Sequence, residues 1–458
     1  MEFHPVIMAA GKGSRMTDLT SQCPKALLPM GNMPLIWYPI KMLEREGFEE
    51  AIVIVLDSFS AEVQKVLLEI CNVKIRLDFV SIPDNDYWGT ADSLRYVKDK
   101  IKSDILVLSC DLLTDLPLHR LADVHRTYNA SVTVLLSPLQ EQFSEVPAPG
   151  VKSKRTERDF IGFDKNGDRI LFMSSEADME NSVKFRTSVL RKHPCLTIKS
   201  NLTDCHLYLM KKWVVNFLAE YKSISSLKGE LIPYIVKKQF AKPKCQEKDI
   251  THNANMSVIS EDVKTDIFSF AAEDKLLVIL RGMSSWMDHS GDMSDCYHGG
   301  NIRCYGFVQD FGLCVRVNTL GTYAEANKQI PRWFSLLAPD VEMNMIHTSA
   351  TVKEKSQVGS DCILGEGVSV GEKVSVKHSI IGKHCTIGDK VKITNSVVMD
   401  HVTISDMCNI MGSVIGASAH ISEKCELKDC IVGQSQNIIA MGKFTNEAIV
   451  DIDKMMEI

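Results

Sequence analysis

No apolar run in these 458 residues approaches the length of a membrane-spanning helix, which excludes a chain built of such helices. Neither sign of charge dominates. The 52 lysines and arginines stand against 58 aspartates and glutamates, for a net of −6, so no global basic field points to nucleic acid and no direct nucleic-acid binding is expected. An apolar strand begins within the first six residues, which leaves no room for a leader and predicts no signal peptide. Without one, the fourteen cysteines predict free thiols in a reducing compartment, most simply the cytosol of the cytoplasm. Zinc-like Cys-x-x-Cys spacing is missing among Cys362, Cys385, Cys408 and Cys425, and no metal or cofactor is expected there.

What is present divides into two textures, and the length predicts two or three domains. Up to about residue 240, strands and helices alternate. The runs 51–56, 105–108 and 131–136 read as strands buried on both faces. Leu35, Ile36, Pro39, Met42 and Leu43 form a helical stripe that Gly47 is placed to end, and Val63, Val66, Leu67 and Ile70 mark another helix. This rhythm predicts a Rossmann-like α/β domain over 1–335, with a mostly parallel sheet and ligands at the carboxyl ends of its strands. Residues 241–300 turn polar and read as a variable, partly disordered insertion, within which 276–280 is apolar enough to dock. The runs 302–308 and 313–317, split by Asp310-Phe311-Gly312, read as a hairpin, followed by a helix from Thr322 to about Gln329.

From Ile346 the pattern changes. Aliphatic residues fall at 346, 352, 358, 364, 370 and 376, then at 381, 387, 393, 398, 404, 410, 415, 421, 427 and 432. The steps begin at six and settle into six, six, five, so Leu364, Ile381, Val398, Ile415 and Val432 recur at a seventeen-residue spacing. This hexapeptide repeat predicts a left-handed parallel β-helix over 346–458, each triangular coil made of three short strands. The four cysteines sit four places after an anchor, where Val368, Val374, Val391 and Ala419 stand in other repeats. That slot takes a small apolar side chain, so they read as core. Only about 26 residues follow Val432, too few for another domain of ordinary size.

The most informative text is the first strand with its loop, Val6-Ile-Met-Ala-Ala-Gly11-Lys-Gly13-Ser14-Arg15-Met16, together with Pro24-Lys25-Ala-Leu-Leu-Pro29. Glycines in such a turn let backbone N–H groups approach a phosphate, and two cations can neutralise a departing pyrophosphate. Together these segments resemble the opening of the sugar-1-phosphate nucleotidyltransferases, the pyrophosphorylase family. The resemblance implies that Gly11, Gly13, Ser14, Arg15 and Lys25 correspond to its phosphate loop and lysine. It makes Gly89-Thr90-Ala91 the turn beside base and sugar, and Asp111 the first magnesium carboxylate.

Three departures stand against that pattern. Asp18 replaces a proline before Leu19-Thr20 and would oppose triphosphate oxygens. Where the family has Glu-Lys-Pro, this chain has Ser174-Ser175-Glu176-Ala177, with no lysine between Arg169 and Lys184. The second magnesium carboxylate would stand two residues before Gly321-Thr322, and Thr319 is there. A site missing one of two acids and its substrate lysine is expected to lose most of its catalytic power.

Segments 16–20, 34–38, 89–95, 108–112, 158–162 and 456–458 resemble more specifically the gamma-subunit family of the guanine-nucleotide exchange complex called initiation factor 2B. That resemblance implies a non-catalytic partner of an epsilon subunit, with alpha, beta and delta subunits completing a ten-chain assembly that acts on initiation factor 2. The eight matching residues, Gly11, Gly13, Ser14, Arg15, Lys25, Gly89, Thr90 and Asp111, would then line a vestigial pocket. An active enzyme of the mannose-1-phosphate guanylyltransferase kind explains the loop and the β-helix but not Thr319. An acyltransferase using His378, His384, His401 or His420 leaves the first domain unexplained.

Overall fold

A computed structural model describes the chain apart from residues 1, 22, 85–87, 140–157, 179–184, 186, 242–265, 272–275, 277–278, 280–282, 284–299, 343 and 451–458. Most of the expected insertion and the 456–458 segment therefore lie outside the described residues.

Seven strands form the central sheet, in the order Cys304–Val308, Val132–Pro138, Leu202–Met210, Asp104–Ser109, Phe3–Met8, Glu50–Leu56, Arg76–Ile82. All neighbours are parallel except that Leu202–Met210 runs against both of its partners. The central strands are mostly apolar because helices cover both faces: in Glu50–Leu56 every residue after Glu50 is apolar and buried. One face packs Val6, Ile54, Val107 and Val134 with the helix Lys212–Glu220, and the other packs Ile7, Val53 and Leu108 with Ile40 and Leu43 of the helix Trp37–Arg45. Gly47 follows that helix at φ +79°, the left-handed exit its position predicts.

The second predicted helix begins at Ser60–Lys65 and widens into a π turn over Val66–Ile70. Val63 and Leu67 face the core, but the widened turn leaves Ile70 58% exposed. The expected hairpin does not form. Cys304–Val308 joins the central sheet beside Val132–Pro138, whereas Cys314–Arg316 pairs antiparallel with Leu112–Thr114. The Asp115 carboxylate accepts from Leu313 N and Gln309 Nε2, both at 2.9 Å, and Gly312 at φ +97° turns the chain between two sheets. Within 276–280, Leu276 and Ile279 are exposed rather than docked, and the other three residues lie outside the described set. The helix predicted from Thr322 runs over Leu320–Leu337 and carries Pro331 inside it.

Residues 351–449 form the left-handed β-helix as three parallel six-stranded sheets, whose strands pair at a spacing of seventeen residues, or eighteen where Thr351–Val352 and Gln357–Val358 join the stack. The anchors from Leu364 to Val432 point inward and are buried. The repeat does not stop at Val432: Ile438, Phe444 and Ile449 occupy the next three inward positions, so the last coil lies beyond the final anchor that the sequence pattern gives. Cys362, Cys385, Cys408 and Cys425 are buried in this core, and the last three thiols donate to Met399 O, Ser422 O and Ile439 O at 3.0–3.2 Å.

One sheet of the three carries aliphatics on its outer side as well: Ile363, Ile380, Val397, Val414 and Ile431 are buried. They pack with Phe334, Ile330 and Leu337 of the helix Leu320–Leu337 and with Trp37 and Leu35. The doubled aliphatics, as in Ile380-Ile381 and Val397-Val398, mark this contact in the sequence. Asn32 Nδ2 adds a hydrogen bond to Ile381 O at 3.0 Å.

Candidate functional site

The expected site residues lie past the carboxyl ends of the parallel strands. Phe3–Met8 leads into the loop 9–16, and its neighbour Asp104–Ser109 leads to Asp111, with Cys110 N donating to Met8 O at 3.2 Å. In the loop, Gly13 adopts φ +71°, and a Cβ there would come within 2.8 Å of Thr20 Cγ2. Thr20 Oγ1 in turn donates to Met16 O at 3.0 Å. The loop's own packing therefore demands Gly13. At Gly11 a Cβ would meet nothing within 4 Å, and Ser14 and Arg15 are exposed.

Lys25 opens a 3-10 turn, Lys25–Leu27, and is buried. Its ammonium pairs with Asp111 Oδ2, and Arg316 Nε donates to Asp111 Oδ1 at 3.1 Å. Asp111 is fully buried. Arg316 ends the strand Cys314–Arg316, which is tied in place where Val317 N donates to Asp111 O at 2.8 Å. Burial opposes the charge on Asp111, but Arg316 and Lys25 outweigh it and hold the carboxyl well below the usual carboxylate range. Burial alone would weaken the Arg316 cation, and Asp111 more than restores it. The structure thus brings Lys25 and Asp111 together as an ion pair and adds Arg316, which sequence reasoning missed. Its signal was a lone arginine between Val315 and Val317 in an apolar strand.

Gly89 and Thr90 sit at the head of the helix Thr90–Tyr96, and their hydrogen bonds lead elsewhere. Leu227 N donates to Thr90 Oγ1 at 2.9 Å, and Ala91 N donates to Ser225 O at 2.8 Å. A Cβ at position 89 would collide with Ser225 O. This turn is closed by the 225–227 segment.

At the position expected of a second acid, Thr319 caps the helix Leu320–Leu337. Its Oγ1 accepts from Thr322 N at 3.2 Å, and its own N–H donates to Thr322 Oγ1 at 3.0 Å. In the stretch that stands in place of Glu-Lys-Pro, Glu176 begins an exposed turn and its carboxylate accepts from Arg158 N at 3.2 Å. A magnesium ion needs open carboxylate oxygens at about 2.0–2.1 Å. Both oxygens of Asp111 already hold cations, and Thr319 offers only a hydroxyl at the second position. The residues present do not fit the metal.

Beside this cluster, the strand Leu202–Met210 breaks register with Val132–Pro138 between Asp204 and Tyr208, and His206 takes φ +55° there. The Asp204 carboxylate accepts from Tyr208 Oη at 2.7 Å and from His206 N at 2.8 Å. Burial, then the Arg316 cation, pushes the His206 imidazole far below its ordinary pKa, so it is neutral. On the β-helix, the His384 and His401 rings stack with centroids 5.3 Å apart, His378 pairs with Asp361 at 3.2 Å, and His420 is exposed.

Comparison with known proteins agrees with both textures. A nucleotidyl transferase family model matches residues 4–144, and a model of the EIF2B subunit epsilon LbH domain matches residues 343–443. The chain is 31% identical over 382 residues to the translation initiation factor eIF2B subunit gamma of Schizosaccharomyces pombe, covering 82% of this chain and 74% of that protein. It is 30% identical over 402 residues to the protein of the same name in Dictyostelium discoideum, covering 83% and 87%. Similarity to the mannose-1-phosphate guanyltransferase of Debaryomyces hansenii is 28% over 139 residues, only 30% of this chain and 38% of that enzyme.

Proposed function

The chain belongs to the translation initiation factor eIF2B subunit gamma family, and from that premise we propose that it is a non-catalytic subunit of the eIF2B complex. In this reading it supports an epsilon subunit in GDP/GTP exchange on initiation factor 2, within a cytosolic assembly that also contains alpha, beta and delta subunits, two copies of each of the five. The 1–335 unit keeps the nucleotidyltransferase fold as a frame, and the 346–458 β-helix offers docking surface.

The observation that carries the non-catalytic reading is the Lys25–Asp111–Arg316 cluster. A carboxylate that would hold magnesium is fully buried and neutralised by two cations of the same chain. Thr319 at the cap of the helix Leu320–Leu337 supports the same conclusion, because a neutral hydroxyl stands where a second acid would be needed. Gly11, Gly13, Ser14, Arg15, Lys25, Gly89, Thr90 and Asp111 then outline a vestigial pocket, of which Gly13 and Asp111 are retained for packing and charge balance.

The test is pyrophosphate release from each nucleoside triphosphate with sugar-1-phosphate and magnesium. The expected result is no turnover above the uncatalysed background. Turnover of about 1 per second or faster would make the chain an active nucleotidyltransferase.

A further inference from the structure

The two ends of the central sheet are finished differently. At one end, Cys304–Val308 is covered: Arg169 bridges antiparallel to Tyr305, Gly306 N donates to Asp168 O at 2.8 Å, and Cys304 N donates to Gln239 Oε1 at 3.0 Å. At the other end, Arg76–Ile82 pairs only with Glu50–Leu56. Arg76 N donates inward to Glu49 O at 2.9 Å. In a parallel ladder this parity turns Asp78, Val80 and Ile82 inward as well. The N–H and C=O groups of Leu77, Phe79 and Ser81 therefore point away from the sheet. Among the described residues no hydrogen bond links them to another element. Exposed edges of this kind are templates for pairing.

A groove of about 460 Å³ runs beside this edge, lined by Phe79, Val80, Ser81, Tyr96, Val97, Asp99 and Lys100. Tyr96 is 53% exposed and packs edge-on against Trp88, with centroids 5.5 Å apart. Two pairs of charges here match internally, Lys100 with Asp78 at 2.8 Å and Arg76 with Glu50 at 2.9 Å, and Asp99 leaves one negative charge in the lining. The groove thus offers an aromatic wall and a single carboxylate to an incoming chain.

We propose that Arg76–Ile82 is a docking edge for an extended, weakly charged segment of a partner subunit. That segment would add as an eighth strand and seat an aliphatic or aromatic side chain against Tyr96 and Val97. An added strand satisfies alternate backbone donors and acceptors in a row, and a groove holding one unmatched carboxylate gives little purchase to a highly charged peptide. The inference rests on the chain being a subunit of a larger complex.

Hydrogen–deuterium exchange on the isolated chain and on the reconstituted complex reads this directly, and co-purification establishes separately that the complex has formed. In the complex, the amides of Leu77, Phe79 and Ser81 are expected to exchange roughly tenfold or more slower than in the isolated chain. Ser81→Pro removes one outward donor at an edge position that tolerates proline, and Tyr96→Ala removes the groove wall without touching the strand. Both variants are expected to lose that protection while the Glu50–Leu56 amides stay protected, which shows that the sheet remains folded. An assembled complex with no slowing at the three amides overturns the proposal. So does slowing in the isolated chain that grows with its concentration, since the occupant is then a second copy. Absence of any complex instead overturns the subunit reading.

Discussion

At the scale of single residues, the molecule is most informative where charge is buried. Asp111 is held between Lys25 and Arg316, and removing one member of a buried charge group leaves the rest uncompensated. Asp111→Ala, which strands two cations, is therefore expected to cost about 3–5 kcal/mol in denaturant unfolding. The double variant Asp111→Leu with Arg316→Met should recover part of that loss. His125 gives a pH signal of its own. Its Nδ1 shares a 2.8 Å hydrogen bond with Thr133 Oγ1, and burial, then Lys211 and Arg126, lowers its pKa from 6.5 to about 3. Between those values the unfolded chain binds a proton there that the folded chain refuses, so stability falls as pH falls. The slope is roughly 1 kcal/mol per pH unit, with the full contribution present above pH 6.5. His206 is also held neutral and adds loss of the same sign below its unfolded value. Measured from pH 7 to 4, His125→Phe should show a shallower acid loss than the wild type.

At the scale of elements, the β-helix shows what periodicity makes legible. Anchors spaced six, six, five gave the three sheets and their register, because each inward position admits only a packable side chain. The last coil was harder to read, since Ile438 and Ile449 each have an aliphatic neighbour that blurs the spacing and the anchor between them, Phe444, is aromatic. Inside one corner, Ser379, Ser396 and Ser413 form a buried ladder. Each hydroxyl donates to a carbonyl two residues back, and those of Ser379 and Ser396 accept the N–H of the next serine at 3.1 and 3.3 Å. Ser396→Ala orphans the buried Ser413 N–H and should cost about 1–3 kcal/mol, visible as a lower Tm. The false hairpin has a different lesson. Local pattern showed two strands and a turn at Gly312, but which sheet each strand joins depends on Asp115, nearly two hundred residues earlier in the chain. The candidate site divides the same way. The loop and Lys25 were legible as a motif. Arg316 was not, because a single arginine in an apolar strand has no spacing to report its partner.

At the scale of the whole molecule, one apolar cluster joins the two folds: Phe334, Ile330 and Leu337 against Ile363, Ile380 and Val397. Phe334→Ala should cost about 3–5 kcal/mol and uncouple the two parts, so that calorimetry shows two thermal transitions where the wild type shows more cooperative unfolding. That junction packs the β-helix against the first domain, and the proposed supporting role uses surfaces on both. On the proposed function, this chain promotes guanine-nucleotide exchange without performing it. The most direct measurement is release of labelled GDP from initiation factor 2, followed with this chain alone, with the epsilon subunit alone and with both together. The account predicts no release above background from the first and faster release from the pair than from epsilon alone. Robust release by this chain alone, or a pair no faster than epsilon, would contradict it.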